Sequence, residues 1–104
     1  MMILTVDIGN STIHLGLFIR GALRKTWRIS TRPGHTADEY ALMLRGLIGE
    51  GMPLLGCIIS SVVPSLEWPF SQAVEQEYKT LPMILDHQTE TGVVNGYELS
   101  LIHI

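Results

Sequence analysis

The 104-residue chain predicts a mixed α/β domain, and three features predict it. Residues 2–30 hold three runs of strand character divided by glycine-bearing turns. Two stretches of helical periodicity follow. Each leads into a short, apolar run of the kind that fills a buried parallel strand. The resulting order is β-β-β-α-β-α-β, a mixed sheet flanked by helices.

Taken in order, residues 2–8 are short, continuously apolar up to Asp7 and rich in β-formers, which predicts a buried strand. Residues 11–19 predict a second strand, with Gly16 marking a bulge or a close backbone approach. Arg20-Gly21 is a turn. Residues 22–30 predict a third strand, with Leu23, Lys25, Trp27 and Ile29 on one side and Arg24, Thr26 and Arg28 on the solvated other. Residues 31–35 are a loop. Thr36 followed by Glu39 has capping-box spacing and starts a helix that runs to about Glu50. Its apolar stripe is Tyr40, Leu44, Leu47 and Ile48, and Gly49, Gly51 and Pro53 end it. Residues 55–61 are a fourth strand ending in Ser60-Ser61. Ser65 then caps a helix over about Leu66–Lys79, with Pro69 in its first turn. Residues 82–85 are a fifth strand. Two units are expected: a domain over 1–86 and an incomplete tail over 87–104.

Hydrophobic residues make up 46% and charged residues 16%, a balance that builds a core rather than a disordered chain. The net charge is −3 and no Lys/Arg run occurs, so nucleic-acid binding has no electrostatic footprint. Cys57 is the single cysteine, which excludes an internal disulfide and fits a reducing cytoplasm. It lies in an apolar run, where a free thiol reads as core. Asp7 interrupts the N-terminal apolar run before a signal peptide could form, and no run approaches the ~20 residues of a membrane span. A cytoplasmic protein without membrane partners is therefore expected. His14, His35, His87 and His103 have no metal-ligand spacing.

The chemistry concentrates in residues 2–18. Asp7, at the carboxyl end of the first strand, is a hard oxygen ligand suited to Mg²⁺, directly or through water. Gly9 lets the backbone take positive φ and approach a ligand closely. Asn10, Ser11 and Thr12 add amide and hydroxyl donors to those of the turn's backbone, and such donors cradle a polyphosphate. The same residues equally suit a plain β-hairpin turn. Ser60 and Ser61 would face the same cleft from the end of the central strand, or cap a turn before Pro64. His14 borders the phosphate site or is a partly exposed strand histidine.

Asp7-Ile8-Gly9-Asn10-Ser11-Thr12 after an apolar strand resembles the first phosphate motif of the acetate and sugar kinase, heat-shock cognate and actin superfamily. Ile59-Ser60-Ser61-Val62-Val63-Pro64, and Thr91-Gly92 followed by Tyr97-Glu98, resemble two further segments of one branch, type III pantothenate kinase. The resemblance runs over residues 2–98. It implies a ribonuclease-H-like (actin-like ATPase) fold. It implies ATP-dependent phosphorylation of pantothenate to 4′-phosphopantothenate, the first step of coenzyme A biosynthesis. ATP with Mg²⁺ and a monovalent cation, K⁺ or NH₄⁺, would be required, and the working form would be a homodimer. By the same resemblance Asp7, Ile8, Gly9, Asn10, Ser11, Thr12, Ile13 and His14 bind ATP, with Asp7 toward the metal, and Tyr97 contacts pantothenate. Thr12-Ile13 departs from the family's asparagine-containing pair. Leu99–Ile104 lacks the proline expected near position 100. The general-base Asp of the family's Gly-x-Asp-Arg motif is expected beyond residue 104, so the chain reads as an N-terminal fragment, inactive by itself. The competing expectations are a transcription-linked protein like the Bvg accessory factors, another actin-fold sugar kinase or phosphatase, and a structural domain without activity.

Overall fold

In the computed structural model, which describes residues 1–85 and the strand residues 93–94 and 97–98, the first strand to be made lies at the centre of the sheet. This strand, β1 (Met2–Ile8), is flanked by β2 (Thr12–Ile19) on one side and β4 (Leu54–Ser61) on the other. β3 (Ala22–Ser30) and β5 (Met83–Leu85) complete the five-stranded order β3-β2-β1-β4-β5. β1 is antiparallel to β2 and β2 to β3, whereas β4 is parallel to β1 and to β5. The expected order of elements and the mixed sheet are therefore observed. A separate pair, β6 (Val93–Val94) and β7 (Tyr97–Glu98), is antiparallel.

Alternation along the strands decides which side is covered. Leu4, Val6 and Ile8 of β1, Ile13, Leu15 and Leu17 of β2, and Cys57 and Ile59 of β4 point to one face. That face meets α1 (Ala37–Leu47) through Tyr40, Ala41 and Leu44, and α2 (Pro64–Tyr78) through Leu66, Phe70, Ala73, Val74 and Tyr78. Both helices thus lie against one face of the sheet, in a two-layer arrangement. Each fully buried leucine, isoleucine or phenylalanine here contributes about 1.5–3 kcal/mol.

α1 opens as its sequence requires. The Thr36 hydroxyl accepts from the Glu39 N–H at 3.3 Å, and the Glu39 carboxylate accepts from the Thr36 N–H at 2.9 Å. The latter bond leads in holding the Glu39 carboxyl below the usual carboxylate range. α1 stops at Leu47, three residues short of the expected end, because Gly49 and Gly51 already take positive φ. Across the helix pair Arg45 Nε meets Glu77 Oε1 at 2.8 Å, and the Tyr78 hydroxyl lies 3.1 Å from the Leu44 carbonyl and 3.0 Å from that of Gly49.

Two expectations fail for local reasons. A β-bulge lets Leu17 pair with Lys25 and Phe18 with Leu23, so Arg24 is the extra residue. The one-residue slip carries Leu23 to the face opposite Lys25 and Trp27. Helix α2 begins at Pro64, not after a Ser65 cap. Val63 occupies the cap position with no side-chain bond, and Pro64 supplies the fixed φ of a first helical position. Pro69 consequently lies in the second turn, where it removes the N–H that would bond the Ser65 carbonyl.

Candidate functional site

The chain reverses between Ile8 and Thr12, and the hydrogen bonds show what the turn needs. The Gly9 N–H donates to the Thr12 carbonyl at 2.9 Å. Gly9 is not at positive φ; those glycines are Gly21, Gly49 and Gly51 among the described residues. Its role is steric. A Cβ at this position would lie 3.0 Å from the Thr12 carbonyl oxygen, tighter than ordinary packing allows. Asn10 and Ser11 are exposed at the tip, and Thr12 is half-buried. Ile8 and Ile13 are fully buried in the core, so only their backbone groups border the turn.

Asp7 is exposed on the helix-free face. It pairs with His14 on β2 and with Ser60 on β4, and His14 in turn pairs with Arg28 on β3. Direct cross-strand partners share a face. Arg28, His14, Asp7 and Ser60 therefore form one polar row at the end of β1, at steps of about 4.8 Å between strands. Among the described residues the only ion pair is Arg45–Glu77, so the Asp7 carboxylate has no cationic side chain within bonding distance. A hollow of about 420 Å³ lies on this row, lined by His14, Leu15, Thr26, Trp27 and Arg28. A second, of about 440 Å³, lies between β3 and α1 and is lined mostly by apolar groups such as Ile29, Leu42, Met43 and Leu47. The first includes His14 and Arg28 of the polar row; the second is lined by none of the row's residues.

Ser60 and Ser61 do not share a cleft, because adjacent strand residues point to opposite faces. Ser60 joins the polar row. Ser61 is buried at 2% exposure. Its hydroxyl accepts from the Val63 N–H at 2.9 Å and lies 3.0 Å from the Val63 carbonyl, so it shapes the exit from β4 into α2. The end of β4 is fastened to that of β1 by the Val62 N–H, which donates to the Ile8 carbonyl at 3.0 Å. Cys57 is buried at 3% exposure, and burial pushes its thiol well above the ordinary range, which fits a core residue. Thr91, Gly92 and the side chain of Tyr97 lie outside the described residues.

Sequence reasoning passed over two residues of this site, Arg28 and Thr31. The Thr31 hydroxyl donates to the Gly9 carbonyl at 2.8 Å, and its N–H donates to the Ser11 carbonyl at 2.9 Å. Neither residue carries a local motif. Both reach the site only through the β2–β3 register, which pairs His14 with Arg28 and Thr12 with Ser30.

A sequence model described as type III pantothenate kinase matches residues 3–100. The chain belongs to the type III pantothenate kinase family. Two curated members support this. The type III pantothenate kinase of Finegoldia magna is 40% identical over 100 residues, covering 92% of this chain and 38% of that protein. That of Acidobacterium capsulatum is 34% identical over 113 residues, covering 88% of this chain and 42% of the relative. The chain thus spans about two fifths of the length of these type III pantothenate kinases. Among solved structures, a ROK family glucokinase from Streptomyces griseus, in complex with glucose and AMPPNP, superposes with a TM-score of 0.56 at 20% identity. The match covers 83% of this chain and 33% of the glucokinase. It supports the ribonuclease-H-like, actin-like ATPase fold. Among the described residues no helix is long and apolar enough to cross a membrane.

Proposed function

We propose that the chain is the nucleotide-binding part of an enzyme that phosphorylates pantothenate with ATP. The observation that carries this reading is the position of Asp7. It is exposed at the carboxyl end of the central strand, beside a donor-bearing turn, in a chain whose family consists of pantothenate kinases. In α/β sheets ligands bind beyond the carboxyl ends of the strands. The ATP phosphates would lie against the backbone of Gly9–Thr12 and the side chains of Asn10, Ser11 and Thr12. His14 and the positively charged Arg28 would flank them from the polar row.

Among the described residues no three His, Cys, Asp or Glu side chains gather. A single exposed carboxylate such as Asp7 fits an Mg²⁺ ion that takes its remaining oxygens from phosphate and water, the usual arrangement for this ion. Mg²⁺ supplies charge neutralisation and alignment of the phosphoryl oxygens when bound. In the reaction the pantothenate hydroxyl oxygen bonds to the γ-phosphorus as the bond to ADP breaks. The hydroxyl proton would go to a carboxylate base, and Tyr97 would contact pantothenate. A K⁺ or NH₄⁺ requirement, a homodimer and a cytoplasmic location belong to the same proposal.

The test is Asp7→Asn in the full-length native protein, which keeps the shape and removes the charge. Phosphopantothenate formation, followed by transfer of labelled γ-phosphate, is expected to fall about 10- to 100-fold, with excess Mg²⁺ restoring part of it. Undiminished turnover would remove Asp7 from the metal's path.

A further inference from the structure

The turn beyond β1 does not hold its shape alone. Its internal bond joins Gly9 N–H to the Thr12 carbonyl, and the carbonyls of Gly9 and Ser11 are both held by Thr31. No cis peptide bond occurs among the described residues. In a trans peptide the N–H points opposite to the carbonyl of the same unit. With the Gly9 carbonyl turned to the Thr31 hydroxyl, the Asn10 N–H faces away from Thr31. With the Ser11 carbonyl turned to the Thr31 N–H, the Thr12 N–H does the same. Thr31 is itself fixed from both sides. Ser30 before it pairs with Thr12 in the sheet. The carbonyl of Arg32 after it accepts from the His35 N–H at 3.1 Å and from the hydroxyl of fully buried Tyr40 at 3.2 Å.

We infer that Thr31 is a positioning residue for nucleotide phosphate, acting through the turn without touching the ligand. It aims the Asn10 and Thr12 amide donors, and it links their direction through Arg32 to the Tyr40 anchor in the core. This inference rests on the nucleotide reading above. It adds the element that presets the cradle, so that the donors need not be reoriented when phosphate arrives.

The experiment compares the full-length native protein with Thr31→Val, which keeps the volume and deletes the hydroxyl, and with Thr31→Ser, which restores it. Steady-state kinetics give the KM for ATP and for pantothenate separately. Calorimetry gives the Kd for an Mg²⁺-bound, non-hydrolysable ATP analogue. Thr31→Val is expected to raise both the KM for ATP and the analogue Kd about five- to a hundredfold. The KM for pantothenate stays within about twofold and Thr31→Ser returns all constants toward wild type. Wild-type nucleotide constants in Thr31→Val, an equal rise in both KM values, or failure of serine to restore binding each overturn the inference. If Thr31→Val does not fold, Thr31→Ser paired with Tyr40→Phe takes its place. Retained binding with serine and weakened binding with phenylalanine support the inference, and unchanged binding in both overturns it. A wild-type protein that binds the analogue but does not phosphorylate pantothenate overturns the kinase assignment alone. One that does not bind the analogue overturns both.

Discussion

At Gly9 the constraint is measured in tenths of an ångström. A methyl group there would press on the backbone oxygen of Thr12 at 3.0 Å, and a backbone atom cannot swing aside as a side chain can. Gly9→Ala is expected to cost about 1 kcal/mol, a fall of about 4–8 °C in Tm for a domain of this size. It should also weaken ATP binding, since the turn opens to relieve the contact. Thermal unfolding by circular dichroism and an ATP titration on the same sample check both parts. An alanine variant with wild-type Tm and affinity would show that the turn yields freely. The presence of a glycine here was legible in the sequence; its reason was not. Positive φ is the usual reason for a turn glycine, and only the three-dimensional approach of Thr12 shows that the missing Cβ matters instead. Thr31 was hidden by the same cause, since its bond to Gly9 spans 22 residues and follows from strand register rather than local pattern.

Between elements, the helix pair is tied by Tyr78, whose hydroxyl reaches back to the carbonyls of Leu44 and Gly49. Burial, with the Glu77 carboxylate adding to it, pushes the Tyr78 hydroxyl up to about 12. The unfolded value is about 10. A raised folded pKa means that this stabilisation is complete below pH 10 and is lost as pH rises toward 12. Tyr78→Phe should be about 1–2 kcal/mol less stable near neutral pH. It should also lose less stability than wild type between pH 10 and 12. Urea unfolding across that window measures the difference, and parallel curves for the two proteins would exclude Tyr78 as the titrating group. Elements governed by neighbouring residues were legible: the Thr36–Glu39 capping box, the continuously apolar β1, the apolar run that opens β4. Elements governed by distant partners were not. The bulge that turns Leu23 over depends on how β2 fits β3, and α2 starts at Pro64 because the Ser61–Val63 turn delivers the chain there.

On the scale of the whole molecule, one layer of helices covers one face of a sheet whose outer strands are β3 and β5. Cys57 sits beneath that layer at 3% exposure. A thiol reagent such as a disulfide-exchange probe is expected to label Cys57 only as fast as the domain opens globally, so labelling and unfolding should share one denaturant dependence. Fast labelling in native buffer would instead show local opening at β4. The outer edge of β3 carries Arg24, Lys25 and Arg28, all exposed, and such charges discourage pairing with another chain. The central position of β1 has a consequence for synthesis. β1 can zip to β2, and β2 to β3, as soon as residue 30 is made, but the partner for the other side of β1, β4, starts only at Leu54. At roughly 5–20 residues per second, translation leaves that inner edge unpaired for about 1–5 s. The nascent meander thus spends its first seconds with the future middle of its sheet as an open rim, and a chaperone that shields apolar segments would have its earliest binding site there.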